Sequence, residues 1–135
     1  MKSIKNVKEG LNYTAVNIGK MSDQQEKVFI KDATKATGTE ISFEELPPHK
    51  ESSFLHTHKQ NEEMYIILKG SGDFQVDGES FPVNEGSLIR IAPNGKRALR
   101  SGGEPMLYMV IQSKEGSLNQ YTMTDGVIAE GKIEW

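Results

Sequence analysis

Apolar residues along the chain either alternate with polar ones or gather into short runs, and glycine, proline, asparagine or aspartate separates the runs. No stretch sustains the 3.6-residue period of a long amphipathic helix. This pattern predicts many short strands. They fall at "YTAVNI", "KVFI", "TEISFEEL", "SFLHTH", "EMYIILK", "GDFQV", "SFPV", "SLIRIA", "RALR" and "MLYMVIQ". Asp77-Gly78 in "VDGES" predicts a tight hairpin, and "KGSGD" and "RSGGEP" read as further turns. One helical turn is expected around "MSDQQEK", with Ser22 as its cap. About ten strands in one small chain imply an all-β sandwich or closed barrel.

The segment from Glu63 to Lys69 sharpens this picture. Side chains alternate across a strand, so Glu63, Tyr65 and Ile67 share one face and Met64, Ile66 and Leu68 the other. Both faces are largely apolar, so the strand should be covered on both sides. Either another layer of the same chain or a second subunit can supply the outer cover, and a homodimer is expected.

Composition narrows the function. The chain has 135 residues, enough for one domain and one core. Its 16 basic and 19 acidic residues give a net charge of -3, with no basic block of the kind that binds nucleic acid. No apolar run approaches the roughly 18 residues of a membrane span, and the lysine-bearing N-terminus lacks the apolar core of a signal peptide. There is no cysteine. Disulfides and thiolate metal sites are therefore excluded, in keeping with a cytoplasmic location. Any metal must be held by nitrogen and oxygen.

The candidate chemistry lies in "FLHTHKQNEEMYIILKG". Residues i and i+2 of a strand share a face about 6–7 Å apart, so His56 and His58 point together and Thr57 points away. A turn at "KQNE" returns the chain, and Glu63 opens the next strand within reach of both imidazoles. Two histidines and a carboxylate make a facial metal triad, a set that zinc also accepts.

These residues carry a resemblance. "HTHKQNEEMYIILKG" is similar to the first motif of the cupin family: HxH, three or four residues, Glu, six residues, Gly. His56, His58, Glu63 and Gly70 match it. Glu62 fits only the shorter spacing, which puts Gly70 out of register. The family's leading glycine is missing, and "PPHK" stands there. "VNEGSLIRIAPNGKRALRSGGEPMLYMVI" resembles the second motif, with Gly86 and Pro93 at its opening and turn. The resemblance implies a double-stranded β-helix, the jelly-roll barrel of cupins, over residues 38–112. The N-terminal strands of 1–37 would cover the barrel or a dimer partner, and 113–135 would form a tail. It also implies a divalent metal (zinc, iron, nickel or manganese) bound by His56, His58 and Glu63, or no metal at all.

One departure bears on that choice. Cupins with a full metal site take a last histidine from the second motif. Here Arg97 stands at that position, or Ala98 if the register shifts by one. Neither ligates a metal. A guanidinium about 6 Å from a dication is repelled by roughly 5 kcal/mol at an effective dielectric near 20, or three to four decades of affinity. Either the three remaining ligands still hold a metal, or Arg97 makes the cavity an anion pocket.

Tyr65 shares Glu63's face and can line the pocket with its hydroxyl, alongside Arg97 as a ligand-binding residue. Tyr65, Phe74 and Tyr108 read as core aromatics, and His49 as a solvated loop residue. Arg90 belongs to a solvated face or an interface. Arg100, odd-spaced from Arg97, should face solvent. Glu44, Glu45 and Asp73 read as surface. The expected function is that of a small cupin binding or acting on a small anionic metabolite. If it is an enzyme, it would be a metal-dependent one such as a dioxygenase or isomerase. The alternative is a metal-free, non-catalytic anion binder.

Overall fold

The computed structural model describes residues 4–23 and 26–135. Among the described residues, ten strands run in the order β1 (Lys5–Gly10), β2 (Tyr13–Asn17), β3 (Val28–Phe29), β4 (Glu40–Leu46), β5 (Asn61–Lys69), β6 (Ser71–Val76), β7 (Glu79–Asn84), β8 (Leu88–Ile91), β9 (Arg97–Ser101) and β10 (Met106–Lys114). Two single-turn helices, α1 (Lys31–Thr34) and α2 (Thr122–Asp125), complete the elements with a 3₁₀ turn at Met21–Asp23. That turn lies where a helical turn is expected. Its continuation through Gln24 and Gln25, and the cap by the Ser22 side chain, fall outside what is described.

A five-stranded antiparallel sheet, β3-β4-β10-β5-β8, faces a three-stranded one, β7-β6-β9. Between them sit Tyr65, Ile67, Phe74, Ile91, Met106, Tyr108 and Val110, all nearly fully buried. This is the all-β jelly roll of the sequence reading. In β5 the alternation is strict. Glu63, Tyr65 and Ile67 are buried, and Met64, Ile66 and Leu68 are half-buried on the outer face. The Asp77-Gly78 hairpin joins β6 to β7 with φ of 51° and 85°, the left-handed pair that a two-residue type I′ turn demands. Gly70 closes the first motif for a steric reason. Its φ is 84°, and a Cβ there would lie 2.2 Å from the Pro105 carbonyl oxygen.

Two departures from the expected elements have clear causes. β1 pairs with β2, yet every residue of β1 is exposed; with no buried face, it has no apolar alternation to reveal it. The strand expected over 53–58 is absent. Isolated bridges join the chain to β9 at Glu51↔Arg100, just before this stretch, and at His56↔Arg97 within it. The Ser52 hydroxyl accepts from the Leu99 amide at 3.1 Å, where a strand would offer a main-chain carbonyl. The chain then loops outward through exposed Phe54 and Leu55 before pairing resumes at His56.

Candidate metal and ligand site

His56 is fixed by backbone pairing. Its N–H donates to the Arg97 carbonyl at 3.4 Å, and the Arg97 N–H donates back to the His56 carbonyl at 3.2 Å. Residues paired in this way project to the same side of a sheet, so Arg97 enters the barrel beside His56. The register question is thereby answered for Arg97, which is 1% exposed, and against Ala98. His58 is set by its N–H bond to the Pro93 carbonyl at 2.9 Å. The two imidazoles lie edge-to-face with centroids 5.3 Å apart, and Thr57 between them faces out.

Glu63 rises from β5 opposite Ile91 and Gln112. A single carboxylate oxygen gathers the site. Glu63 Oε1 accepts from Arg97 Nη1 at 2.7 Å and from the Tyr65 hydroxyl at 3.5 Å. His56 Nε2 stands 3.5 Å from it and His58 Nε2 3.4 Å. One ligand atom from each of His56, His58 and Glu63 lies within 4.8 Å of the others. Metal–ligand bonds of about 2.1 Å set neighbouring ligand atoms roughly 3.0–3.4 Å apart, so donor type and spacing fit a divalent ion. Arg97 is the opposing element. Its Nη2 donates to the carbonyls of Ala92 at 2.8 Å and Pro93 at 3.3 Å, and its Nε is buried without a partner among the described residues.

Burial lowers the His56 pKa from its ordinary value. The Glu63 charge works against this, and the Arg97 and His58 charges add to it. A neutral imidazole is the form that binds metal. Burial, followed by the Glu63 charge, raises the Tyr65 pKa far above the ordinary phenol value. Tyr65 is therefore a hydrogen-bond donor in the site.

A cleft of about 240 Å³ opens beside the His56 imidazole, lined also by Tyr65, Tyr108, Phe54, Lys27 and Glu44; His58 and Glu63 are not among its lining residues. A groove of about 330 Å³ over Gln75, Ser80 and Arg100 contains none of the three candidate ligands. Glu44 corrects the sequence reading. It is not a surface residue but half-buried, and it accepts a short hydrogen bond from the Tyr108 hydroxyl. The signal was its parity with Ser42 and Leu46, both buried in β4. Glu45 has the outer parity. Arg100 and Asp73 form an exposed ion pair at 2.9 Å, and Arg90 reaches Glu62 at 3.6 Å on the outer face.

The family model described as Cupin domain matches residues 42–112. A cupin protein from Bacteroides fragilis is 41% identical and superposes with a TM-score of 0.81, covering 88% of this chain and 98% of that one. An uncharacterized protein of Methanocaldococcus jannaschii is 35% identical over 60 residues, which is 44% of this chain and 48% of that protein. The match thus spans about half the length of that curated relative. A predicted oxalate decarboxylase from Thermotoga maritima, 22% identical with a TM-score of 0.56 over 62% of this chain and 73% of that one, shares the fold. An arginine in place of the second motif's histidine leaves the barrel and the first motif intact, and the chain belongs to the cupin family.

Proposed function

We propose that this protein holds a divalent metal through His56, His58 and Glu63 and receives a small organic anion at the open side of that site. The observation that carries the reading is the convergence of the three ligand atoms within 4.8 Å, one of them on His56, which lines a cleft. When bound, the metal supplies a Lewis-acidic position that polarises an oxygen of the ligand. Zinc, iron, nickel and manganese all suit two imidazoles and a carboxylate.

The chain's own residues set the ligand's charge. Arg97 neutralises Glu63, so a bound dication leaves the buried site strongly positive and in need of an anion. The Tyr65 hydroxyl donates to the same carboxylate, and Tyr65 also lines the cleft. Those features serve binding and turnover alike. A second reading, a metal-free anion pocket, is favoured by the 2.7 Å Arg97–Glu63 contact, which already satisfies the carboxylate.

Metal analysis of protein purified without added metal separates the two. The metal reading expects close to one equivalent in the wild type and a large loss in His58→Ala. Equal metal content in both proteins removes the triad.

A further inference from the structure

The cleft beside His56 has a second polar end. Glu44, Tyr108 and Tyr65 point inward from β4, β10 and β5, three adjacent strands. The Tyr108 hydroxyl donates to Glu44, as the Tyr65 hydroxyl donates to Glu63. The two tyrosine rings stack, with centroids 5.9 Å apart and an 18° interplanar angle. The sheet therefore carries two tyrosine–glutamate pairs, and only one belongs to the candidate metal site. Register places Glu44 opposite Tyr108, which pairs with Ile67, four positions along β5 from Glu63. The two carboxylates thus stand apart, while Glu44 lines the same cleft as His56 and Tyr65.

Glu44 has acceptor capacity to spare. An ionised carboxylate offers about four lone-pair sites, and among the described residues its hydrogen-bond donor is Tyr108 alone. Lys27, Lys50 and Glu51 line the cleft too, and the Lys27 ammonium lies over the Phe29 and Tyr108 rings, 5.7 Å from each centroid. No ion pair joins Lys27 to Glu44 among the described residues.

We infer that Glu44, positioned by Tyr108, reads hydroxyl or ammonium groups on an organic anion whose acidic end lies at His56, the candidate metal ligand that lines the same cleft. The ligand class is then a hydroxylated or amino-bearing acid. A second carboxylate at the far end would meet the like charge of Glu44, which makes no ion pair among the described residues. This inference rests on the proposed anion site only for the ligand's acidic end.

Calorimetric titration of the zinc-loaded protein with hexanoate, gluconate and 6-aminohexanoate tests it. The wild type should bind gluconate or 6-aminohexanoate at least about tenfold tighter than hexanoate, the scale of a charge-assisted hydrogen bond. Whichever acid gains identifies hydroxyl or ammonium as the group read. Glu44→Ala should reduce the favoured acid to hexanoate's affinity and leave hexanoate unchanged. Tyr108→Phe keeps the ring and should lower the preference partway, whatever it does to stability. No preference in the wild type, including no binding of any acid, overturns the inference, as does a preference that survives Glu44→Ala. His58→Ala should weaken all three acids alike. If it does not, while Glu44→Ala still erases the preference, the metal reading fails and the role of Glu44 stands.

Discussion

Arg97 Nη1 lies 2.7 Å from Glu63 Oε1, with the two side chains 0% and 4% exposed. An ion pair this deep is costly to form and more costly to break, because removing one partner strands the other's charge in the barrel. Arg97→Met should therefore destabilise the metal-free protein by about 3–5 kcal/mol, measured by urea unfolding. Replacing both partners, Arg97→Met with Glu63→Met, should recover most of that loss. A single variant as stable as the wild type would show the pair to be energetically idle.

The same contact sets metal affinity. Arg97→His removes a cation near the site and adds an imidazole where the family's last ligand usually stands. With roughly 5 kcal/mol of repulsion relieved, zinc should bind at least a hundredfold more tightly, within a ceiling of three to four decades. Competition with a chelating dye measures this. An unchanged dissociation constant would mean that Arg97 does not oppose the metal.

His56 makes metal-free stability depend on pH. Its pKa is lowered in the folded protein, chiefly by burial, against about 6.5 in the unfolded chain. The unfolded chain then takes up the proton first as pH falls. The contribution is complete above about pH 7 and is lost as pH drops through 6.5 towards the lowered folded value. Unfolding free energies between pH 7.5 and 5 should fall less steeply in His56→Gln than in the wild type. Parallel slopes would rule out His56 as the source.

Alkaline behaviour has the opposite sign. Burial, then the charge of the neighbouring glutamate, raises both Tyr65 and Tyr108 well above the ordinary phenol pKa. Their contribution is present below about pH 10 and is lost as pH rises, because only the unfolded chain ionises them readily. Neither should form tyrosinate at pH 11 while the fold persists. Tyr65→Phe and Tyr108→Phe should each leave the absorbance rise at 295 nm unchanged at that pH. A smaller rise in either variant would place that hydroxyl in contact with solvent.

The residues whose parity is enforced by burial were legible from the sequence. Glu63, Tyr65 and Ile67 alternate with half-buried neighbours, and that pattern, with His56, His58 and Gly70 at fixed spacing, specified the strand, the barrel and the candidate triad. β1 was hidden because exposed Lys5–Gly10 has no inner face. The stretch before His56 looked like a strand because nothing in its composition shows that the Ser52 hydroxyl takes over a ladder bond. Glu44 reads as surface because its spacing to Glu45 and Asp73 forms no site pattern, although its parity with Ser42 and Leu46 points inward. α1 and α2 are single turns of four residues, too short to leave a helical period.

The outer face of the five-stranded sheet carries the last prediction. In register, Phe43, Met109, Ile66 and Leu88 form one apolar row across β4, β10, β5 and β8, and Ile41, Ile111 and Met64 form the next. Leu88 is 66% exposed, and the others remain half-buried. A contiguous apolar face of this kind is seldom left in water, and a two-fold pairing would cover it with its own copy. The protein should scatter light at micromolar concentration with twice its 15.0 kDa chain mass. Ile66→Glu sets a charge in the middle of the row without touching the inner face, so it should give a folded monomer with an unchanged far-ultraviolet circular dichroism spectrum. A wild type of monomer mass, or an Ile66→Glu variant that stays dimeric, would move the interface away from this face.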